Sequence, residues 1–148
     1  MAGLASAVGR ELRQRGFTRD GRTYRRSGKV SVQIVNLQSS TWNSSGDASP
    51  AGAHVFVNLY VFYPALNLRQ GGSVPERPKW LRFCERLDEP DRPDGGWFVT
   101  KESVEEVAAR LVAEFDRLGE PWLRALDNVK SMSRDDVGLL VQRQPDEP

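Results

Sequence analysis

One cysteine, Cys84, and one histidine, His54, are the residues of this chain with the chemistry of a thiolate nucleophile and its base. A thiolate forms at neutral pH only beside a base or a cation, and nothing in the spacing brings these two together. WLRFCERL around Cys84 reads instead as apolar packing, with the thiol acting as a small buried hydrophobe. Glu105, Glu106, Glu114 and Asp116 lie off the apolar stripe of a helical pattern, so they read as a solvated face and not as an acid/base pair. Asp88, Asp91 and Asp94 in DEPDRPDGG are spaced like cation ligands, but the stretch lacks the glycine position and closing glutamate of a calcium loop. Gly71-Gly72 and Gly95-Gly96 lack the Lys-Ser/Thr of a phosphate loop and read as turns. A single cysteine excludes an intrachain disulfide and, with one histidine, a Cys-rich zinc site. The sequence therefore assigns no catalytic residue, no metal and no cofactor.

Carboxamides in the middle of otherwise apolar strands are the more informative feature. VSVQIVNLQSS (30–40) alternates, and HVFVNLYVFYP (54–64) is apolar on both alternating faces until Pro64 ends it, the pattern of a central strand. Pairing these two strands as an antiparallel hairpin around the loop 41–53 sets Asn36 opposite Asn58, Ile34 opposite Tyr60, Val32 opposite Phe62 and Gln38 opposite Phe56. One face then carries Asn36, Gln38, Asn58 and His54 beside Phe56 and Tyr60, and the other Val35, Leu37, Val57, Leu59 and Val61. An amide buried without a partner costs about 1–3 kcal/mol, so these groups either satisfy one another and fix register or face a ligand. Both readings stand at this point. Trp42 in the loop joins Asn36, Gln38, Asn58, His54 and Tyr60 as a candidate contact residue, and Trp97 is the other aromatic expected to be worth inspecting for exposure, because an exposed tryptophan often anchors a partner.

Charge is nearly balanced, 21 Lys+Arg against 20 Asp+Glu, so no overall field argues for a polyanion or a membrane surface. The asymmetry is local: residues 10–29 hold seven arginines and one lysine against Glu11 and Asp20, a patch with phosphate-binding chemistry but no basic excess elsewhere to support it.

The elements that must position these residues follow from periodicity. Leu4, Val8 and Leu12 with Ala5 and Ala7 predict a helix over 3–15, ended by Gly16. Asp20-Gly21 and Ser27-Gly28 bracket a strand at TYRR, and alternation begins at Val30. KWLRFCERL and WFVT read as short strands. Val104, Val107, Ala108, Leu111, Val112, Phe115 and Leu118 predict a helix opened by a Ser103/Glu106 capping box and closed at Gly119. Pro121 then starts a short helix through Trp122, Leu123 and Leu126, Ser133 opens another, and 142–148 is a frayed tail. Strands grouped between helical ends predict an α+β fold: one antiparallel sheet of about four or five strands, flanked by an N-terminal helix and C-terminal helices. The length and the 39% hydrophobic content suit a single domain over 1–148.

GF (16–17), TYRR (23–26), VNLQSS (35–40), FVNLYV (56–61), CERL (84–87) and GGWF (95–98), in this order, resemble a bacterial family known as domain of unknown function 4304, over about residues 4–128. The family usually has Phe at the position of Tyr24 and often a small residue at that of Tyr60. The resemblance implies a compact α+β domain in bacterial cytosolic proteins and carries over no catalytic residue or cofactor.

The expectation is a cytoplasmic, non-enzymatic binding or interaction module that presents one sheet face and the loop 41–53 to a protein or a small molecule. An enzyme of unknown type using the amide cluster, and nucleic-acid binding through the Arg-rich N-terminal third, are the alternatives. No apolar run reaches the length of a membrane span, the N-terminal stretch has no secretory h-region, and the oligomeric state is open.

Overall fold

The computed structural model describes residues 1–40, 52–63, 82–92 and 95–127. Helix α1 (Ala2–Gln14) buries Leu4, Val8 and Leu12 completely. It ends as the sequence predicts: Gly16 takes φ +85, and the Gly16 and Phe17 N–H groups donate back to the Arg13 and Leu12 carbonyls. This is the glycine-terminated helix end in which the next residue packs on the last turn, and Phe17 is buried there.

Six strands form one sheet: β1 (Thr18–Asp20), β2 (Thr23–Ser27), β3 (Val32–Ser39), β4 (Ala53–Phe62), β5 (Arg82–Leu87) and β6 (Trp97–Val99). Neighbours are antiparallel in the order β1-β2-β3-β4-β5, and β6 pairs with β4 beyond the end of β5. Gly21, at φ +60, lets Asp20 and Thr23 face each other across a two-residue turn. Strand β3 begins at Val32, later than the alternation suggests. Lys29, Val30 and Ser31 instead spend their N–H groups on the carboxylate of Asp127, which closes the β2–β3 turn from outside the sheet.

The β3–β4 register is the expected one, with Asn36 opposite Asn58 and Ile34 opposite Tyr60. Val35, Leu37, Val55, Val57, Leu59 and Val61 point to one side and are all but inaccessible to water. Tyr24, Leu87 and Trp97 join them, and α1 and the C-terminal helical segment cover that side. Trp97 satisfies its indole N–H on the Leu87 carbonyl, and Tyr24 its hydroxyl on the Ala5 carbonyl of α1.

The C-terminal segment departs from expectation at Gly119. Helix α2 (Val104–Glu114) does not stop there but runs through a π-helical turn (Phe115–Gly119) into α3 (Glu120–Asp127). The Glu120 N–H reaches the Phe115 carbonyl, five residues back, and the wider turn accommodates Pro121, which has no N–H for the ordinary ladder. Gly119 is there for packing: a Cβ would lie 2.7 Å from the Phe115 ring and 3.2 Å from Leu59. Nor does Ser103 form a capping box. It holds the N-cap position, but its hydroxyl accepts the Thr100 N–H and closes a local turn. The helix expected from Ser133, and the tail, lie outside the described residues.

Three of the seven arginines between positions 10 and 29 fasten this segment. Arg10 pairs with Glu105, Arg15 with Asp116 and Arg26 with Glu120. The last is a two-pronged, half-buried pair, with side chains 17% and 14% exposed, and Arg26 also lies over the Phe17 ring and bonds Gln33 and the Arg15 carbonyl. Exposed pairs contribute little; this one has the planar geometry that makes Arg–carboxylate contacts specific. Burial alone would raise the Glu120 carboxyl, yet the hydrogen bonds from Arg26 and Arg124 together hold it below its ordinary value.

Candidate binding face

Successive residues of a strand point to opposite sides, so every strand with a core-facing residue also has an outward one. The outward side of β2 to β6 carries Thr23, Arg25, Ile34, Asn36, Gln38, His54, Phe56, Asn58, Tyr60, Cys84, Arg86 and Phe98. No helix among the described residues packs on it. Gln38 and Arg86 are exposed, Asn36, His54, Phe56, Tyr60 and Phe98 half-buried, and Asn58, at the centre, buried.

Asn36, Gln38, Asn58, His54 and Tyr60 thus share one face, as the alternation predicts, but they are not one cluster. Asn36 donates to the Thr23 hydroxyl on β2 at 3.0 Å, and Asn58 donates to the Gln38 carbonyl diagonally across β3 at 3.1 Å. His54 stands four residues from Asn58, about 13 Å along the strand, where it meets the Phe98 ring at 5.3 Å between centroids. A Cβ on Gly96 would come within 3.2 Å of its Nδ1, so the bare backbone there lets the imidazole lie close to β6. Tyr60 lies opposite Cys84 at the other end. Trp42 and Asp94 lie outside the described residues.

Sequence reasoning missed the cations. Arg86, directly opposite Asn58, lies over the Phe56 ring at 4.6 Å, and Arg92 lies over Phe98 at 5.6 Å. The two-residue period of CERL places Cys84 and Arg86 on one face, but only the register with β4 shows that the face is that of the amides. Thr23, the partner of Asn36, was missed in the same way.

Other chemical readings are corrected by position. Cys84 is not in the core: it is half-buried on the outward face, and its partner Tyr60 is six residues along β4 from His54, about 20 Å, so the two cannot form a dyad. Glu114 is buried and bonded to Arg117, not solvated. Glu89 is also buried, and its carboxylate is held by Arg92 and Arg110, which ties the loop after β5 to α2. Asp88 lies beneath Gly95, and burial pushes its carboxyl up against the opposing pull of Arg86. Gly95, at φ +71, makes a turn onto the Arg92 carbonyl, as expected of the Gly-Gly pair. Among the described residues no group of His, Cys, Asp and Glu is placed to hold a metal ion, and no helix is long and apolar enough to cross a membrane. A groove of about 300 Å³ between α1 and α2 is floored by Ala7, Ala108 and Val112, and its charged rim is spent on the Arg10–Glu105 and Arg15–Asp116 pairs.

Together these features define a two-layer α+β protein: helices on one side of an antiparallel sheet, and amides, aromatic rings and arginines on the other. The chain belongs to the family described as domain of unknown function (DUF4304), whose model matches residues 8–125. No curated protein and no solved structure matches the chain.

Proposed function

We propose that the protein acts by binding, in the cytoplasm, and that its ligand-facing surface is the outward side of β2 to β6. The supporting observation is the make-up of that side: amides at Asn36, Gln38 and Asn58 held in a fixed array, flanked by half-exposed Phe56, Tyr60 and Phe98. A carboxamide offers two donors and a carbonyl with two lone pairs, more than the bonds to Thr23 and Gln38 take up among the described residues. Those bonds already order the two rotamers, which lowers the entropic cost of binding. Acid–base or nucleophilic chemistry has no such support, since the imidazole and the thiol sit at opposite ends of the face.

The test is affinity capture from native lysate with the wild-type chain and an Asn36→Ala, Asn58→Ala double variant whose circular dichroism shows it folded. Loss of the captured partner or ligand in the variant is the expected result. Equal recovery by both would mean that the amides serve the sheet alone.

A further inference from the structure

Resting on that reading, we infer that the occupant of the face is single-stranded nucleic acid, with bases stacked across β4 to β6 and phosphates met by Arg25 and Arg86.

Charge segregation carries the inference. The acids of the C-terminal helical segment lie on the covered side of the sheet, where Glu105, Asp116 and Glu120 take up Arg10, Arg15 and Arg26. These pairs take up three of the eight basic residues between positions 10 and 29, and Arg25, from the same stretch, lies on the other side of the sheet. No carboxylate occupies an outward position of β2 to β6; among the described residues Asp20 lies on the edge strand β1, Asp88 lies past the end of β5, and Glu89 holds Arg92 beside Phe98. Arg25 and Arg86 do occupy outward positions, and both are exposed. A nearly neutral protein thus exposes two arginines, Arg25 and Arg86, on a side that also carries rings and amides.

Ring geometry narrows the ligand further. Phe56 and Phe98 lie on neighbouring strands, each with an arginine over it. A guanidinium lying on a ring is itself a planar stacking surface, with N–H edges left for phosphate oxygens. Single strands are recognised by this combination: unstacked bases on aromatic or guanidinium planes, amides on base edges, and arginines along the backbone. An acidic peptide would use the arginines but not the rings. A duplex would leave both rings and amides unused, because its bases are already stacked.

The experiment is fluorescence anisotropy of labelled oligo-dT and oligo-rU of about 12 nucleotides, titrated with the full chain, with the matching mononucleotide and a duplex as competitors. Saturable binding is expected, with a log–log salt slope of about −1.4 for two phosphate contacts. The single strand should compete and the duplex and mononucleotide should not. Phe56→Leu, Phe98→Leu and Arg86→Met, each checked for an unchanged melting temperature, should each weaken binding about fivefold or more. An Arg10→Gln variant, altered on the covered side, should not.

No saturable binding up to about 100 µM protein, or binding that Phe56→Leu and Arg86→Met leave unchanged, would overturn the inference. Capture of a protein from nuclease-treated lysate, lost in the Asn36→Ala, Asn58→Ala variant, would overturn it too while leaving the binding face in place. Failure of both experiments would remove the face as well.

Discussion

Asn36 and Asn58 stand directly opposite each other on β3 and β4, yet their amides do not bond one another: Asn36 turns to Thr23 on one side and Asn58 to Gln38 on the other. The two side chains are joined through separate strands, so their energies should be nearly independent despite their proximity. A double-mutant cycle between Asn36→Ala and Asn58→Ala, read by urea denaturation, should give a coupling below about 0.5 kcal/mol. Cycles for Asn58 with Gln38, and for Asn36 with Thr23, should give about 0.5–1.5 kcal/mol each. A large coupling between the two asparagines would mean that they pair directly and act as a register lock.

Asp127 closes the β2–β3 turn by accepting the Lys29, Val30 and Ser31 N–H groups and the Ser31 hydroxyl. Burial alone would raise its carboxyl, but the bonds from Lys29, Ser31 and Val30 together hold it below its ordinary value. A depressed folded-state pKa gives stability that is present above the unfolded value, near 3.9, and is lost as pH falls through the folded one. Asp127→Asn should therefore cost about 1–3 kcal/mol at pH 7, and the gap between wild type and variant should close on acidification below about pH 4. Paired urea titrations at neutral and acid pH measure this directly, and a gap that is independent of pH would exclude the carboxylate charge as its source.

The β3–β4 register and the assignment of faces were legible in the sequence because alternation on two adjacent strands admits few pairings, and a slip of one residue would put Asn58 in the core. The Asp127 contact was not legible. It joins residues almost a hundred positions apart, and a carboxylate at the end of a helix carries no local sign of the turn it will cap. Arg86 was hidden for a similar reason: a cation on a short strand acquires its neighbours from strand order, which composition does not encode. The continuation of the helix through Gly119 was masked by two residues that ordinarily end helices, Gly119 and Pro121, here kept for close packing and for a widened turn.

Tyr63 predicts the behaviour at the other end of the pH range. Its hydroxyl donates to the Leu126 carbonyl at 2.7 Å, and burial, aided by the negative charge of Asp127, pushes the phenol up to about 12. A folded-state pKa above the unfolded value of about 10 gives stability that is intact below pH 10 and lost as pH rises toward 12. Stability should therefore decline across that window, and Tyr63→Phe should flatten part of the decline while costing about 1 kcal/mol at neutral pH. Urea midpoints across the window, compared between the two proteins, measure both effects. A variant that declines as steeply as the wild type would assign the alkaline transition to other groups, of which Tyr24, also raised by burial against the opposing charge of Arg19, is the first to try.

Gly119→Ala sets two effects of opposite sign against each other. In an ordinary helix the change favours folding by about 1 kcal/mol, because glycine loses more backbone entropy on ordering. Here the added methyl would lie 2.7 Å from the Phe115 ring and 3.2 Å from the Leu59 side chain, and both neighbours are all but inaccessible to water. Neither can swing into solvent, so the helix must lift from the sheet or the rings must leave their rotamers, at a cost of about 1–3 kcal/mol. The overpacking term should win, giving a net loss of about 1 kcal/mol or more. Ala109→Gly on the exposed side of α2 isolates the propensity term and should cost about 1 kcal/mol by itself. Thermal melts of the two variants against wild type check this, and a stabilised Gly119→Ala protein would mean that the π-helical turn can slip into α-helical register and free the contact.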